Sequence, residues 1–293
     1  MPLKSALQTE LSDFLVRHER LFVLTGAGCS TGSGIPDYRD SDGHWKRSPP
    51  MNLQTFMGGP LARARYWARS MIGWRRFGSV QPNAAHIALA KLEAMGRVRL
   101  LVTQNVDGLH QVAGNRAVVD LHGRLDEVRC MQCNHRERRA SFQRILEARN
   151  PAWIALEADD APDGDAYLEN QDFSAFSVPC CPECGGILKP DVVFFGESVP
   201  GERIAQARQA LLEAQAMLVV GSSLMVHSGY RYARAAVEAG LPVVAINIGR
   251  TRADDFLSLK ITEPCAEALS FLLEESSVHQ VSAGKSLHVR RLF

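Results

Sequence analysis

Short apolar runs, each followed by glycine or a polar residue, recur along the 293-residue chain. Helical sequence lies near these runs; after Asn83, a candidate N-cap, apolar residues keep a helical period until Gly96 supplies a stop. Strands that alternate with helices predict an α/β fold, because the connecting helices cover both faces of a parallel sheet. The predicted strands are Leu21 to Thr25, Val98 to Thr103, Ala117 to Leu121, Met217 to Val220 and Pro242 to Asn247.

Two Cys-x-x-Cys pairs interrupt this alternation in the middle of the chain. Cys130 and Cys133 form the first pair, and Cys181 and Cys184 form the second. Two such pairs beside turn-forming residues are typical of a closed zinc site with four thiolates, which is structural because it leaves no open position. Cys180 is an alternative ligand, but the two-residue spacing favours Cys181. A redox role for the pairs is the other interpretation.

Charge and hydropathy exclude several classes of protein. Lys plus Arg total 33 and Asp plus Glu total 32, so no basic excess indicates a nucleic-acid partner. No apolar run approaches the roughly 20 residues of a membrane-spanning helix, which predicts a soluble protein. The stretch before the first strand contains Glu10, Asp13 and Glu19, which predicts an amphipathic helix rather than a targeting segment. Seven cysteines, an odd number clustered in mid-chain, indicate a reducing compartment, so we expect the cytoplasm.

A glycine-rich segment follows the first predicted strand. Gly26 and Gly28 would let backbone amides approach a pyrophosphate, and a helix start after them would favour negative charge. A tight turn that needs glycine is the alternative. The segment continues into Asp37, Tyr38 and Arg39, a trio that we expect to be costly to order without a ligand. No acid ends a second strand about 20 residues on, which disfavours a hydride-transfer dehydrogenase.

Polar residues also follow the other predicted strands. Asn105 and Asp107 could jointly hold a ribose and a water, although a capped turn explains them equally simply. His122 is the candidate general base, because imidazole titrates near neutrality. The apolar run that ends at Gly196 could add an extended peptide as a strand, or be an ordinary buried strand. The last two predicted strands end in short segments whose small polar groups suit a nucleotide. These segments are Gly221, Ser222 and Ser223, and Asn247, Ile248 and Gly249.

The motifs in this order resemble those of the sirtuins, which are NAD-dependent protein-lysine deacylases. They are GAGCSTGSGIPDYR, TQNVDGLH, LHG, the paired CxxC motifs, KPDVVFFGE, GSSL and NIG. RYWARSMIGW and NPAW followed by APDGDAYL resemble class II sirtuins, the group that contains the animal mitochondrial lipoamidase-type enzyme.

The resemblance implies a Rossmann-like parallel sheet with helices on both faces, a small zinc-binding module and a helical insertion. The Rossmann-like domain would comprise residues 1–40, 81–128 and 187–275, with a cofactor loop and helical insertion at 41–80. Residues 129–186 would form the zinc module and 276–293 a C-terminal tail.

The resemblance also implies roles for single residues. His122 would be the base, with Asn105 and Asp107 beside the nicotinamide and its ribose. The acyl-lysine substrate would pair with Val193, Phe194, Phe195 and Gly196. NAD would lie on Gly26, Ala27, Gly28, Asp37, Tyr38, Arg39, Gln104, Asn105, Asp107, Gly221, Ser222, Ser223, Asn247, Ile248, Gly249 and Cys265.

The implied reaction uses enforced proximity: the acyl oxygen captures the ribose C1′ as nicotinamide leaves, and His122 deprotonates a ribose hydroxyl. The products would be nicotinamide, free lysine and O-acyl-ADP-ribose. A mono-ADP-ribosyltransferase or NAD glycohydrolase is the alternative enzyme, and a non-catalytic NAD-sensing module the alternative of another class. The sequence indicates neither the protein substrates nor the oligomeric state.

Tyr66 and Arg69 carry the expectation about the acyl group. In a helix, a spacing of three places both side chains on one face, where a phenol and a guanidinium can converge on one anion. The same Tyr-x-x-Arg spacing resembles the motif with which class III sirtuins hold succinyl and malonyl groups. A solvated arginine beside a core aromatic is the alternative. If Arg69 reaches the pocket, acidic acyl groups should react faster than acetyl.

Overall fold

The computed structural model describes residues 6–159, 161–168 and 170–274 of the chain. Six strands form a parallel sheet and three form a smaller antiparallel sheet. The strands are β1 (Leu21–Thr25), β2 (Val98–Thr103), β3 (Val118–Asp120), β4 (Gly123–Cys130), β5 (Arg136–Arg138), β6 (Leu188–Val192), β7 (Ala216–Val220), β8 (Val243–Ile246) and β9 (Leu259–Ile261).

Helices cover both faces of the larger sheet, as the alternation of strands and helices predicts. Asn83 caps one of them by accepting a hydrogen bond from the Ala85 N–H at 2.8 Å. In the described ranges no helix is both long and apolar enough to cross a bilayer. The helices are α1 (Ala6–Arg17), α2 (Leu53–Met57), α3 (Pro60–Phe77), α4 (Ala84–Ala94), α5 (Leu109–Ala113), α6 (Arg139–Arg149), α7 (Gly201–Leu212), α8 (His227–Glu238), α9 (Cys265–Ala268) and α10 (Phe271–Glu274).

The strand order of the larger sheet is β3-β2-β1-β7-β8-β9. The chain therefore runs outward from β1 to β3 and later returns to the other side of β1, which creates a switch point between β1 and β7. Thr25 pairs with both Thr103 and Val220, so three strands end at one level. Ligands bind at such a switch point in open α/β sheets. The predicted parallel α/β fold is confirmed, and the five predicted strands differ from the observed ones by at most one residue at each end.

Alternation along β1 divides the core of the larger sheet into two layers. Leu21 and Val23 pack in the cluster that contains side chains of α1, α4 and α10, whereas Phe22 and Leu24 pack in the cluster with α7 and α8. All five residues of β1 are buried. This is the pattern of a central parallel strand, which is covered on both faces.

The smaller sheet has the order β5-β4-β6 and packs with α3 and α6 around a third apolar cluster. β4 begins at Gly123 and pairs with β6. The domain boundary expected at 128/129 therefore falls within β4, and the one expected at 186/187 falls just before β6. The strand predicted to continue to Gly196 ends at Val192. The C-terminal tail expected from residue 276 lies outside the described residues.

Candidate functional site

A cavity of about 970 Å³ opens where β1, β2, β3, β7 and β8 end. Its volume is near the top of the roughly 300–1,000 Å³ range of small-molecule sites. The cavity brings together every residue predicted to bind cofactor or substrate or to act in catalysis, with the exception of Arg69.

The glycines after β1 are explained by a close contact between two loops. The Gly28 N–H donates to the Gly221 carbonyl at 2.8 Å, and a Cβ on Gly28 would lie 3.0 Å from the Gly221 Cα. Gly221 has φ +64°, and a Cβ there would lie 2.1 Å from the Cys29 nitrogen. The sequence predicted free amides and a helix start, but two short 3-10 turns follow instead, and the Gly26 N–H is bonded to the Val220 carbonyl.

The Asp37, Tyr38 and Arg39 segment is ordered by the protein itself. Lys46 donates to the Asp37 carboxylate. Arg39 donates to the Gly43 carbonyl at 2.7 Å and lies over the Trp45 ring, 4.0 Å from its centroid. These internal partners supply the contacts that the sequence analysis expected from a ligand, while all three residues still face the cavity.

Four residues form a polar surface that we call the near wall: Ser30, Asn105, Asp107 and His122. Ser30 joins two of the others, because its hydroxyl accepts from the Asn105 amide at 3.0 Å and donates to Asp107 at 2.7 Å. Asp107 also accepts from the Leu109 N–H at 2.9 Å, so the capped turn and the cavity-lining position are both present. Ser30 lies in the glycine-rich segment but was not among the predicted site residues.

His122 is held by a hydrogen bond on each ring nitrogen. Its Nδ1 lies 2.9 Å from the Gln104 carbonyl, and its Nε2 lies 2.8 Å from the Ser228 hydroxyl. Burial lowers the pKa of His122 to about 4, with Arg203 lowering it further and the Gln104 carbonyl acting against this. A carbonyl only accepts, so the neutral ring carries its proton on Nδ1 and accepts the Ser228 hydroxyl at Nε2. The basic lone pair is therefore on Nε2.

A second surface of the cavity, the far wall, consists of Tyr66, Phe77, Leu125, Pro162, Asp163 and Phe194. The Tyr66 and Phe194 rings lie 5.3 Å apart, and both contact Phe56. Arg69 does not reach the cavity, because its Nε donates to the Ala166 carbonyl at 2.8 Å and lies 3.9 Å from Asp165. Asp163 faces the cavity without having been predicted.

The segment expected to pair with a substrate peptide already makes several hydrogen bonds. The Val193 N–H donates to the His122 carbonyl at 2.7 Å, and the Phe194 N–H donates to Glu197 at 3.0 Å. The Phe195 carbonyl accepts from Leu53 at 3.0 Å. The segment therefore fastens the cavity edge to α2 and to His122, and Val193 to Gly196 line the cavity.

The four predicted zinc ligands come together. Their sulfur atoms lie within 4.8 Å of one another, with 3.5 Å between Cys130 and Cys184 and 3.7 Å between Cys133 and Cys181. Zinc–sulfur bonds of about 2.3 Å place tetrahedral sulfurs about 3.8 Å apart, so this set fits zinc. Cys180 is exposed and outside the cluster, whereas Cys181 belongs to it.

Comparison with known proteins identifies relatives of this chain. Residues 26–228 match the Sir2 family. A Bordetella bronchiseptica protein named NAD-dependent protein deacetylase is 67% identical over 260 residues, covering 89% of this chain and 95% of that protein. A solved structure of Sir2 with a p53 peptide and NAD+ is 30% identical with a TM-score of 0.73, covering 92% and 98%. Another, with an inhibitor, 2′-O-acetyl-ADP-ribose and deacetylated p53 peptide, is 30% identical with a TM-score of 0.70, covering 91% and 98%.

Proposed function

The chain belongs to the Sir2 family, and from that premise we propose that it removes acyl groups from protein lysines with NAD as co-substrate. The products are nicotinamide, free lysine and O-acyl-ADP-ribose. The observation that carries this proposal is His122, whose Nε2 lone pair lies in the same cavity as Asn105 and Asp107.

The cavity lining fits NAD. A Cβ on Gly249 would lie 2.7 Å from the Ser41 carbonyl oxygen, so this glycine lets two cavity-lining segments pack closely together. Ser222 is already oriented by the Gln104 amide, which donates to its hydroxyl at 2.8 Å. We propose that NAD lies on Gly26, Ala27, Gly28, Asp37, Tyr38, Arg39, Gln104, Asn105, Asp107, Gly221, Ser222, Ser223, Asn247, Ile248, Gly249 and Cys265.

NAD supplies a ribose carbon that becomes electrophilic as its bond to nicotinamide breaks. Asn105 and Asp107 hold the ribose side, in an orientation set by Ser30. His122 takes a proton at Nε2 from a ribose hydroxyl that replaces the Ser228 hydroxyl there, and the Gln104 carbonyl stabilises the imidazolium through Nδ1–H. Because burial lowers the pKa of His122 to about 4, the ring is neutral and available as a base at neutral pH.

Zinc has a structural role in this proposal. Four thiolates close the coordination sphere, so zinc bound there folds the module rather than reacting with substrate. All seven cysteines are free of disulfides, and thiolate ligands persist in a reducing compartment. We therefore place the activity in the cytoplasm.

The test is a panel of acyl-lysine peptides incubated with NAD. We expect nicotinamide release to require both an acylated peptide and NAD, and to stop when lysine is unmodified. Nicotinamide released at the same rate without peptide would identify a glycohydrolase, and peptide that gains ADP-ribose would identify an ADP-ribosyltransferase. NAD binding without any turnover would identify a sensing module.

A further inference from the structure

The far wall is shaped by residues 161–165, a turn between α6 and β6 in the chain that packs against both α3 and β4. A Cβ on Gly73 would lie 2.4 Å from the Gly164 carbonyl oxygen. Gly164 has φ +74°, and a Cβ there would lie 2.8 Å from Leu125. The neighbouring Ala166 N–H donates to the Arg69 carbonyl at 3.1 Å. This turn is therefore wedged in place, with Asp163 lining the cavity and its carboxylate accepting from the Asp165 N–H at 3.4 Å.

Arg69 is engaged behind this wall. Its guanidinium Nε donates to the Ala166 carbonyl at 2.8 Å and lies 3.9 Å from Asp165, whose side chain is 5% exposed. Arg69 is also the cation that lowers the pKa of Asp163, against the larger effect of burial, which raises it. Arg69 is thus already engaged by a carbonyl and lies near a carboxyl group of the protein before any ligand arrives.

The cations that do line the cavity belong to other parts of it. Lys46 donates to Asp37, and Arg39 lies over Trp45. Arg231 is on α8, one turn after Ser228. An anion placed against the far wall would therefore meet a carboxyl group rather than a guanidinium.

We propose that Asp163 makes the far wall select against acyl groups that end in a carboxylate and in favour of uncharged acyl groups. This inference rests on the proposed deacylase function and adds a specificity residue to it. The physical cause is twofold: a ligand carboxylate loses its water in the cavity without gaining a cation, and it is repelled by Asp163. The selection is opposite to the one expected from the Tyr66 and Arg69 spacing.

The test compares two acyl groups of one shape. Glutaryl-lysine ends in a carboxylate, and its primary amide ends in an uncharged group of the same size. We expect wild-type kcat/KM to be at least about tenfold higher for the amide, as for a desolvated like-charge contact. Asp163→Asn should lower this ratio at least about fivefold. Asp159→Asn, in the same loop but with an exposed side chain paired to Arg47 at 3.3 Å, should leave the ratio unchanged.

Other outcomes overturn the inference. Equal or faster removal of glutaryl by the wild type contradicts it even if Asp163→Asn does not fold. A folded Asp163→Asn with an unchanged ratio also contradicts it. Absence of NAD-dependent turnover on every acyl peptide would instead contradict the proposed function itself.

Discussion

The near and far walls of the cavity are built in different ways. Asn105 and His122 each lie two residues after a strand of the parallel sheet, β2 and β3 respectively. Asp107 lies in the loop after β2, and Ser30 lies in the loop after β1. The far wall combines residues of α3 and β4, the 161–165 turn and the segment after β6. Strand ends of the parallel sheet bring the near wall together, with Ser228 of α8 bonded to His122, whereas the far wall depends on the zinc-binding part of the chain. We infer that the near wall determines the reaction and the far wall determines which acyl group reacts.

Loss of zinc should have the largest effect, because it removes the support of the far wall. Cys181→Ser should abolish stoichiometric zinc binding and deacylation, since metal binding to a structural site contributes about 10–16 kcal/mol in isolated zinc-finger peptides. Cys180→Ser is the matched control and should keep one zinc per chain, because its side chain lies outside the cluster. Metal analysis measures the zinc content of each variant, and thermal unfolding measures its stability. Full activity of a zinc-free chain would show that the far wall does not need the metal.

Replacement of the proposed base, His122, should lower catalysis at the near wall without disturbing the far wall. His122→Ala should lower kcat by about 10²–10⁴-fold, the usual contribution of a general base. The NAD dissociation constant, measured by calorimetry, should change far less, because the base acts within the bound complex. Loss of NAD binding or of the folded state would assign His122 a structural role. Asn105→Ala should also lower turnover, through misplacement of the ribose.

Ser30 tests whether the near wall is held by its own hydrogen bonds. Ser30→Ala removes the group that accepts from Asn105 and donates to Asp107, so we expect kcat to fall about tenfold through loss of orientation. Ser79→Ala, at an exposed serine after α3, is the control and should be neutral. The far-wall ratio of glutaryl amide to glutaryl turnover should stay constant in Ser30→Ala. A changed ratio would mean that the two walls are not independent.

Acid should weaken the protein through histidines beneath and within the near wall. Burial lowers the pKa of His110 to about 3, and that of His122 to about 4. An unfolded histidine titrates near 6.5, so below that pH the unfolded chain binds protons that the folded chain refuses. Each histidine should therefore cost about 1.4 kcal/mol of stability between pH 7.5 and pH 5.5. Urea unfolding at pH 7.5 and pH 5.5 should show that His110→Gln loses less unfolding free energy than the wild type. An equal loss would show that His110 does not have a lowered pKa in the folded chain.

The near wall was predictable because strand ends are visible in the sequence. Asn105, Asp107 and His122 each follow an apolar run closely, and parallel strands bring such ends together. Ser228 was not predictable, since it meets His122 from 106 positions away through the orientation of α8.

The far wall shows where local spacing is insufficient. Tyr66 and Arg69 lie on one helix as predicted, yet only Tyr66 lines the cavity. Arg69 is bound by Ala166, which is 97 positions further along the chain. The zinc site could be predicted from the sequence because the two cysteines of each pair are close together in the chain. The residue after the second cysteine of each pair, Asn134 or Gly185, has positive φ in both turns.

Product analysis tests the central claim most directly. A single acyl-lysine peptide is incubated with NAD and the wild-type chain, and every product is quantified by mass spectrometry. We predict equal amounts of nicotinamide, deacylated peptide and O-acyl-ADP-ribose, whichever uncharged acyl group is supplied. Nicotinamide accompanied by free ADP-ribose, or by ADP-ribose attached to protein while the lysine stays acylated, would contradict the account.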